Sequence, residues 1–395
     1  MTHILRVPRG LLFAILVLGG CAELPATRAP ACPACECPAC PAPPKPAAAA
    51  YEKVAFAAVP GWQGAELAAG LRAFATGCAR LATASPLRRL CEAAGSVPAG
   101  NEAAARRFIE ERFDAWSIAG APTGLVTGYY EPVLAGSRAR TGRFRIPVYG
   151  VPQDLVAVDL ESVAPELKGM RLRGRLEGSR LVPYWSRGEI EGGGRFRAPV
   201  LAWVEDPVEL FFMQIQGSGQ LVLPSGERLR LGYGDQNGHP YRSMGRALIQ
   251  RGELSLEQTS MQGLKAWAAA NPHKLREALD ANPSYVFFRE VAGAGAAEGP
   301  IGTLGVPLIA GYSIAVDPRH VPLGAPVFLA TTWPLSTRPL ERLVAAQDTG
   351  GAIRGAVRAD FYWGSGAEAG IQAGRMRQQG RLWVLWPRDE PLPKL

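Results

Sequence analysis

Apolar and polar positions along the chain follow two different periods. In the first folded stretch Ile109, Phe113 and Trp116 recur at i, i+4 and i+7 behind Asn101, a good helix-capping residue, and predict one amphipathic helix. From Gly124 the pattern changes. Leu125-Val126-Thr127-Gly128-Tyr129-Tyr130 reads as a strand running into Glu131-Pro132. Short apolar runs broken by Gly and Pro continue to about Tyr233, among them Ile146 to Tyr149, Leu201 to Val204 and Leu221 to Leu223. Helical spacing returns in Tyr241 to Arg251. It continues from Ser255 to about Ala269, where Ser255 and Gln258 form a capping box and Met261, Leu264 and Trp267 share a side, and in His273 to Leu279. The last segment is again strand-like: Tyr285 to Phe288, Val306 to Ala310, Tyr312 to Val316, Val327 to Leu329, Arg342 to Ala346, and Leu382 to Trp386. The last of these is apolar on both faces and therefore expected to be buried. The class this predicts is mainly β with some α.

The N-terminus belongs to neither period. Arg6 and Arg9 precede an apolar run, Leu11 to Leu18, too short to span a bilayer but suited to a secretory signal. Leu18-Gly19-Gly20-Cys21 resembles the lipobox of bacterial lipoproteins, which implies lipidation of Cys21 after removal of residues 1–20. Ala22 after the cysteine implies the periplasmic face of the outer membrane. Residues 21–50, dominated by Ala, Pro and Cys, read as an extended tether. The two Cys-Xaa-Xaa-Cys pairs at Cys32, Cys35, Cys37 and Cys40 lie too close together for a zinc site, so no metal is expected and oxidised cysteines are. Cys78 and Cys91 are able to form a bridge, which spacing alone leaves open.

Net charge is +8, with no basic run interleaved with aromatics, so nucleic acid is not an expected partner. A basic envelope protein instead suits carboxylate-bearing partners. The four histidines form no triad or metal pattern, and Gly217-Ser218-Gly219 lacks the context of a nucleophile elbow. Carboxylates carry more chemistry. Asp348 leads into a glycine turn, and Asp360 begins Asp360-Phe361-Tyr362-Trp363-Gly364, where a strand sets Asp360 and Tyr362 on one face. Desolvation among aromatics raises a carboxyl pKa toward what a general acid requires, and a neighbouring Asp348 adds to it. The plainer reading of Asp348 and of Asp317 beside Pro318 is an Asp holding a turn.

Five motifs carry a resemblance. The aspartates Asp317, Asp348 and Asp360 match the "3D" domain. With them stand Gly128-Tyr129-Tyr130-Glu131-Pro132, Gln214 to Gly219, Asn237-Gly238-His239-Pro240-Tyr241-Arg242-Ser243, and Asn282 to Phe288. In this order, across roughly residues 105 to 387, they resemble the membrane-bound lytic murein transglycosylase A family. That resemblance implies a double-psi β-barrel catalytic domain (51–135 and 265–395, with the 3D region at about 283–387) interrupted by a smaller β-domain (136–264), with a glycan groove between them. It makes Asp360 catalytic and Asp348 supporting, and maps substrate binding onto Thr127, Tyr129, Tyr130, Gln216, Ser218 and Tyr362. No cofactor is implied.

The implied activity is that of a peptidoglycan lytic exotransglycosylase, a carbon–oxygen lyase that cleaves the β-1,4 bond between MurNAc and GlcNAc and leaves 1,6-anhydro-MurNAc. Its partners would be glycan strands and, through Cys21, a membrane. Two alternatives stand beside it. One is a two-carboxylate peptidoglycan hydrolase using Asp360 with Asp348 or Glu131. The other is a non-catalytic, expansin-like wall-binding protein.

Overall fold

The computed structural model describes residues 51–392, except 165, 166, 168, 169, 171 and 293–298. Cys21 and the four tether cysteines lie outside the described residues. Three sheets and nine α-helices account for most of the described residues, and strands predominate, as the two periods imply.

The largest sheet has eight strands: β1 (Tyr51–Val54), β2 (Phe113–Ile118), β3 (Gly124–Glu131), β13 (Ser313–Val316), β14 (Pro326–Thr332), β15 (Pro339–Asp348), β16 (Arg358–Ser365) and β17 (Arg377–Pro387), in the order β1-β2-β17-β14-β15-β13-β16-β3. β17 pairs β14 through Arg381 to Val384 and also pairs β3 through Arg377 to Gly380. Helices α1 (Ala68–Ala75), α2 (Pro86–Ala94) and α3 (Glu102–Arg112) pack with it around a core that includes Trp62, Leu71, Phe74, Phe328, Leu343 and Trp383. A disulfide joins Cys78 to Cys91, with Cα atoms 5.4 Å apart, and ties the end of α1 to α2.

The second sheet holds β4 (Val133–Ser137), β5 (Ile146–Tyr149), β9 (Val200–Val204), β10 (Gly219–Val222), β11 (Arg228–Gln236) and β12 (Val286–Glu290), in the order β12-β11-β10-β4-β9-β5. A third, the antiparallel meander β6 (Val156–Val158), β7 (Leu172–Glu177) and β8 (Arg180–Pro183), accompanies it. Helices α4 (Arg187–Glu191), α5 (Pro207–Gln216), α6 (Met244–Gln250), α7 (Met261–Ala270) and α8 (Leu275–Asp280) fall in the same stretch of chain. Membership of the second sheet therefore runs from Val133 to Glu290, wider at both ends than 136–264. The last helix, α9 (Gly366–Arg375), packs on β3 and β16.

Three local expectations differ from the structure. Asn101 caps α3, its side chain accepting from the Ala104 N–H, but the helix stops at Arg112 and Phe113 and Trp116 lie in β2. Strand pairing with β17 buries Phe113 completely between Phe74 and Phe108. Such burial contributes about 2–3 kcal/mol, against tenths of a kcal/mol for helix propensity. Val306 to Ala310 forms no strand; only an isolated bridge between Ile301 and Pro307 remains there. The capping box at Ser255 and Gln258 closes a 3-10 turn, and α7 begins afterwards with Ser260 as its cap.

Candidate active site

The site lies where β15, β13, β16 and β3 run side by side. Ala315 of β13 pairs Asp348 of β15 on one side and Asp360 of β16 on the other, and Asp360 in turn pairs Thr127 of β3. One row across four strands thus reads Asp348, Ala315, Asp360, Thr127. Strand spacing sets the backbones of the two aspartates roughly 10 Å apart. Tyr362 pairs Tyr129 in the next row on this face, and Ser365 pairs Glu131 beyond it.

Asp360 is partly exposed. Its Oδ1 accepts a hydrogen bond from Thr127 Oγ1 at 2.5 Å. Burial pushes its pKa up to about 6, while Thr127 and the nearby Arg358 charge hold the rise back and Asp348 adds to it. Asp348 has far more donors. Its Oδ1 accepts from the Thr303 N–H, the Thr303 hydroxyl and the Thr349 N–H, each at 2.9 Å, and its Oδ2 from the Tyr129 hydroxyl at 3.1 Å. Burial raises the Asp348 pKa as well, but these four donors favour the carboxylate. Of the two aspartates, Asp360 has the single donor and is the less stabilised as a carboxylate.

Glu131 is fully buried and committed elsewhere. Its Oε2 accepts from Gln220 Nε2 at 2.6 Å and from Ser365 Oγ at 2.7 Å, and its Oε1 lies 3.3 Å from Arg230 Nε. Gln220 and Arg230 belong to the second sheet and Ser365 to the first, so this carboxylate links the two. Asp317 is also buried. Burial pushes its pKa up, but the Arg319 guanidinium, the Gly355 N–H and the Arg319 N–H outweigh that and hold it at about 2. It anchors a turn, the plainer of its two readings.

Of the other residues singled out in the sequence, Tyr129 and Tyr362 come together with ring centroids 5.3 Å apart. Tyr130 does not join them. Strand alternation turns it to the opposite side of β3, where it packs with Ala369, Ala373 and Met261. Gly128 shares that side, and a Cβ there would stand 2.6 Å from Trp363 Nε1 of β16 and 2.9 Å from Ala373 Cα of α9, so only glycine lets α9 close on β3. Gln216 ends α5, its Oε1 accepting from the Tyr130 N–H at 3.1 Å; Gly217 follows in the left-handed conformation at φ 79°, and Ser218 is partly exposed in the same turn. Sequence reasoning missed Thr303, which holds Asp348 from 45 positions away in a loop with no periodicity.

Comparison with known proteins bears on the same face. Residues 125–289 match the MltA specific insert domain, and residues 312–386 match the 3D domain. Membrane-bound lytic murein transglycosylase A of Escherichia coli (strain K12) is 35% identical over 291 residues, 71% of this chain and 71% of that protein. This chain belongs to the membrane-bound lytic murein transglycosylase A family. The Vibrio cholerae member is 31% identical over 277 residues, 68% of this chain and 66% of that protein. Among solved structures, MltA from Neisseria gonorrhoeae has a TM-score of 0.76 at 41% identity, covering 88% of this chain and 94% of that one. Escherichia coli MltA with bound chitohexaose has a TM-score of 0.62 at 30% identity, covering 80% of this chain and 90% of that one. The MltA match to the insert domain covers β3 to β12, and the 3D match carries all three aspartates.

Proposed function

We propose that this protein is a peptidoglycan lytic transglycosylase in which Asp360 is the acid and then the base. The observation that carries this reading is a single carboxyl with a pKa of about 6, held by one hydroxyl on a partly exposed sheet face. Protonated Asp360 donates to the glycosidic oxygen between MurNAc and GlcNAc as that bond breaks. Positive charge develops at C1 of MurNAc, beside the Asp348 carboxylate. Asp360, now ionised, takes the proton of the same sugar's C6 hydroxyl, whose oxygen attacks C1 and closes the 1,6-anhydro ring. The nucleophile is tethered to its target, so no water need be positioned.

The commitments of the other carboxylates argue against a two-carboxylate hydrolase. Asp348 is held in place by four hydrogen bonds and Glu131 is buried in an ion pair, so both carboxylates have structural commitments that Asp360 lacks. Thr127, Tyr129, Tyr362, Gln216 and Ser218 supply hydroxyls, an amide and ring faces suited to a sugar. The chitohexaose complex of the Escherichia coli relative supports a glycan as substrate.

Three finer points belong to the same reading. The pairing of β17 with both β14 and β3 supports a double-psi β-barrel as the catalytic domain. A smaller inserted β-domain is supported by the separate second sheet. Lipidation of Cys21 and attachment to the periplasmic face of the outer membrane rest on the signal pattern; among the described residues no helix is long and apolar enough to cross a membrane. Mass analysis of the products from purified sacculi tests the reaction type: 1,6-anhydro-muropeptides are expected, and reducing-end sugars alone would overturn the proposal.

A further inference from the structure

We propose that Arg358 binds a carboxylate of the glycan strand, which makes the groove beside Asp360 selective for acidic sugars over neutral ones. The inference rests on the peptidoglycan reading above and names which feature of that substrate the site recognises.

Arg358 stands two residues before Asp360 on β16, so alternation puts both on one face, about 7 Å apart along the strand. Its guanidinium is partly buried, and burial lowers its pKa. The hydrogen bonds it makes run only to backbone carbonyls, to Ala359 O at 2.5 Å and to Leu125 O at 3.4 Å. Asp317, which follows the last residue of β13, gives its charge to Arg319 at 2.6 Å and lies 4.0 Å from Arg354. Asp317 is thus already attended by two guanidiniums, those of Arg319 and Arg354, and forms no ion pair with Arg358.

A partly desolvated cation that makes no direct ion pair, and whose one nearby carboxyl, Asp360, is held partly protonated by burial, is costly to keep. The cost is offset when a ligand brings the counter-charge, and the planar fork of arginine fits a carboxylate with two parallel hydrogen bonds. N-acetylmuramic acid supplies one in either of two ways: its lactyl group is a free carboxylate once the peptide is removed, and the stem peptide carries carboxylates when it is present. Chito-oligosaccharides carry none.

The test measures affinity in the Asp360→Asn background, which prevents turnover and removes the coupling of Arg358 to the titration of Asp360. Three ligands are compared by calorimetry: chitohexaose, glycan strands stripped of peptide by an amidase, and strands with intact peptides. The parent should bind one or both acidic ligands more tightly than chitohexaose. Arg358→Gln should reduce that preference about tenfold, and Arg358→Lys should retain part of it. Loss confined to stripped strands assigns the lactyl carboxylate; loss confined to peptide-bearing strands assigns the stem peptide. An unchanged preference in a folded Arg358→Gln, or its absence from the parent, overturns the inference. Should Arg358→Gln not fold, Arg358→Lys decides, since full retention of the preference at high salt would contradict a bidentate contact. Anhydro products from wild type with no acidic preference would leave the reaction standing and reject only this subsite; absence of those products would reject the reaction itself.

Discussion

Thr127 and Asp360 face each other across the parallel pair β3 and β16, and the Thr127 hydroxyl donates to Asp360 Oδ1 at 2.5 Å. This contact stabilises the ionised form, whereas burial and the neighbouring Asp348 oppose it, and the balance leaves the carboxyl at about 6. An acid with that pKa is protonated below pH 6 and loses its proton above it. The rate of anhydro-muropeptide release, measured as kcat/KM, should fall about tenfold per pH unit above that value. The neighbours shift this limb in opposite directions. Thr127→Val removes a donor that lowers the pKa and should move the limb to higher pH, and Asp348→Asn removes a charge that raises it and should move the limb to lower pH. A limb that stays fixed in both variants would assign the titration to another group.

Glu131 distinguishes a structural carboxylate from a second catalytic one. Glu131→Gln would leave Arg230 buried without a counter-charge, and removal of one partner from a buried pair typically costs about 3–5 kcal/mol. Chemical denaturation should show a loss of that order, with residual activity tracking the folded fraction. A fully stable Glu131→Gln that no longer turns over would point instead to direct participation in the reaction.

Asp317 should matter in acid. Its folded pKa is depressed to about 2, so its contribution to stability is complete above the ordinary carboxylate value near 4 and is lost as pH falls through 2. Asp317→Asn should cost about 2 kcal/mol at neutral pH and little at pH 2, as read from thermal melts across that range. Equal destabilisation at both ends would mean that packing, not charge, is what Asp317 provides.

Much of this site was legible in the sequence. Asp360 and Tyr362 on one face, and the strand from Leu125 to Tyr130, follow from alternation alone. Tyr130 shows the limit of motif reading: it adjoins Tyr129 in the chain, yet the same alternation turns it into the packing against α9. The end of α3 was not legible, because pairing of Phe113 and Trp116 with β17 overrides a helical period that the local sequence satisfies. Thr303 and Arg230 were equally hidden, since long-range contacts set their roles and no local pattern marks them. The placement of Glu131 also needed the fold, because only the fold shows its burial with Arg230 and Gln220.

The most direct test of a single acid/base group is the rate at which Asp360→Asn releases anhydro-muropeptides from purified sacculi, measured alongside its binding to them. The variant should fold and should gain about 1–2 kcal/mol at pH 7, since a partly exposed carboxyl that resists ionisation is removed. Binding should be largely kept and turnover should fall below detection. Release at the wild-type rate, or a switch to reducing-end products, would contradict the assignment of Asp360.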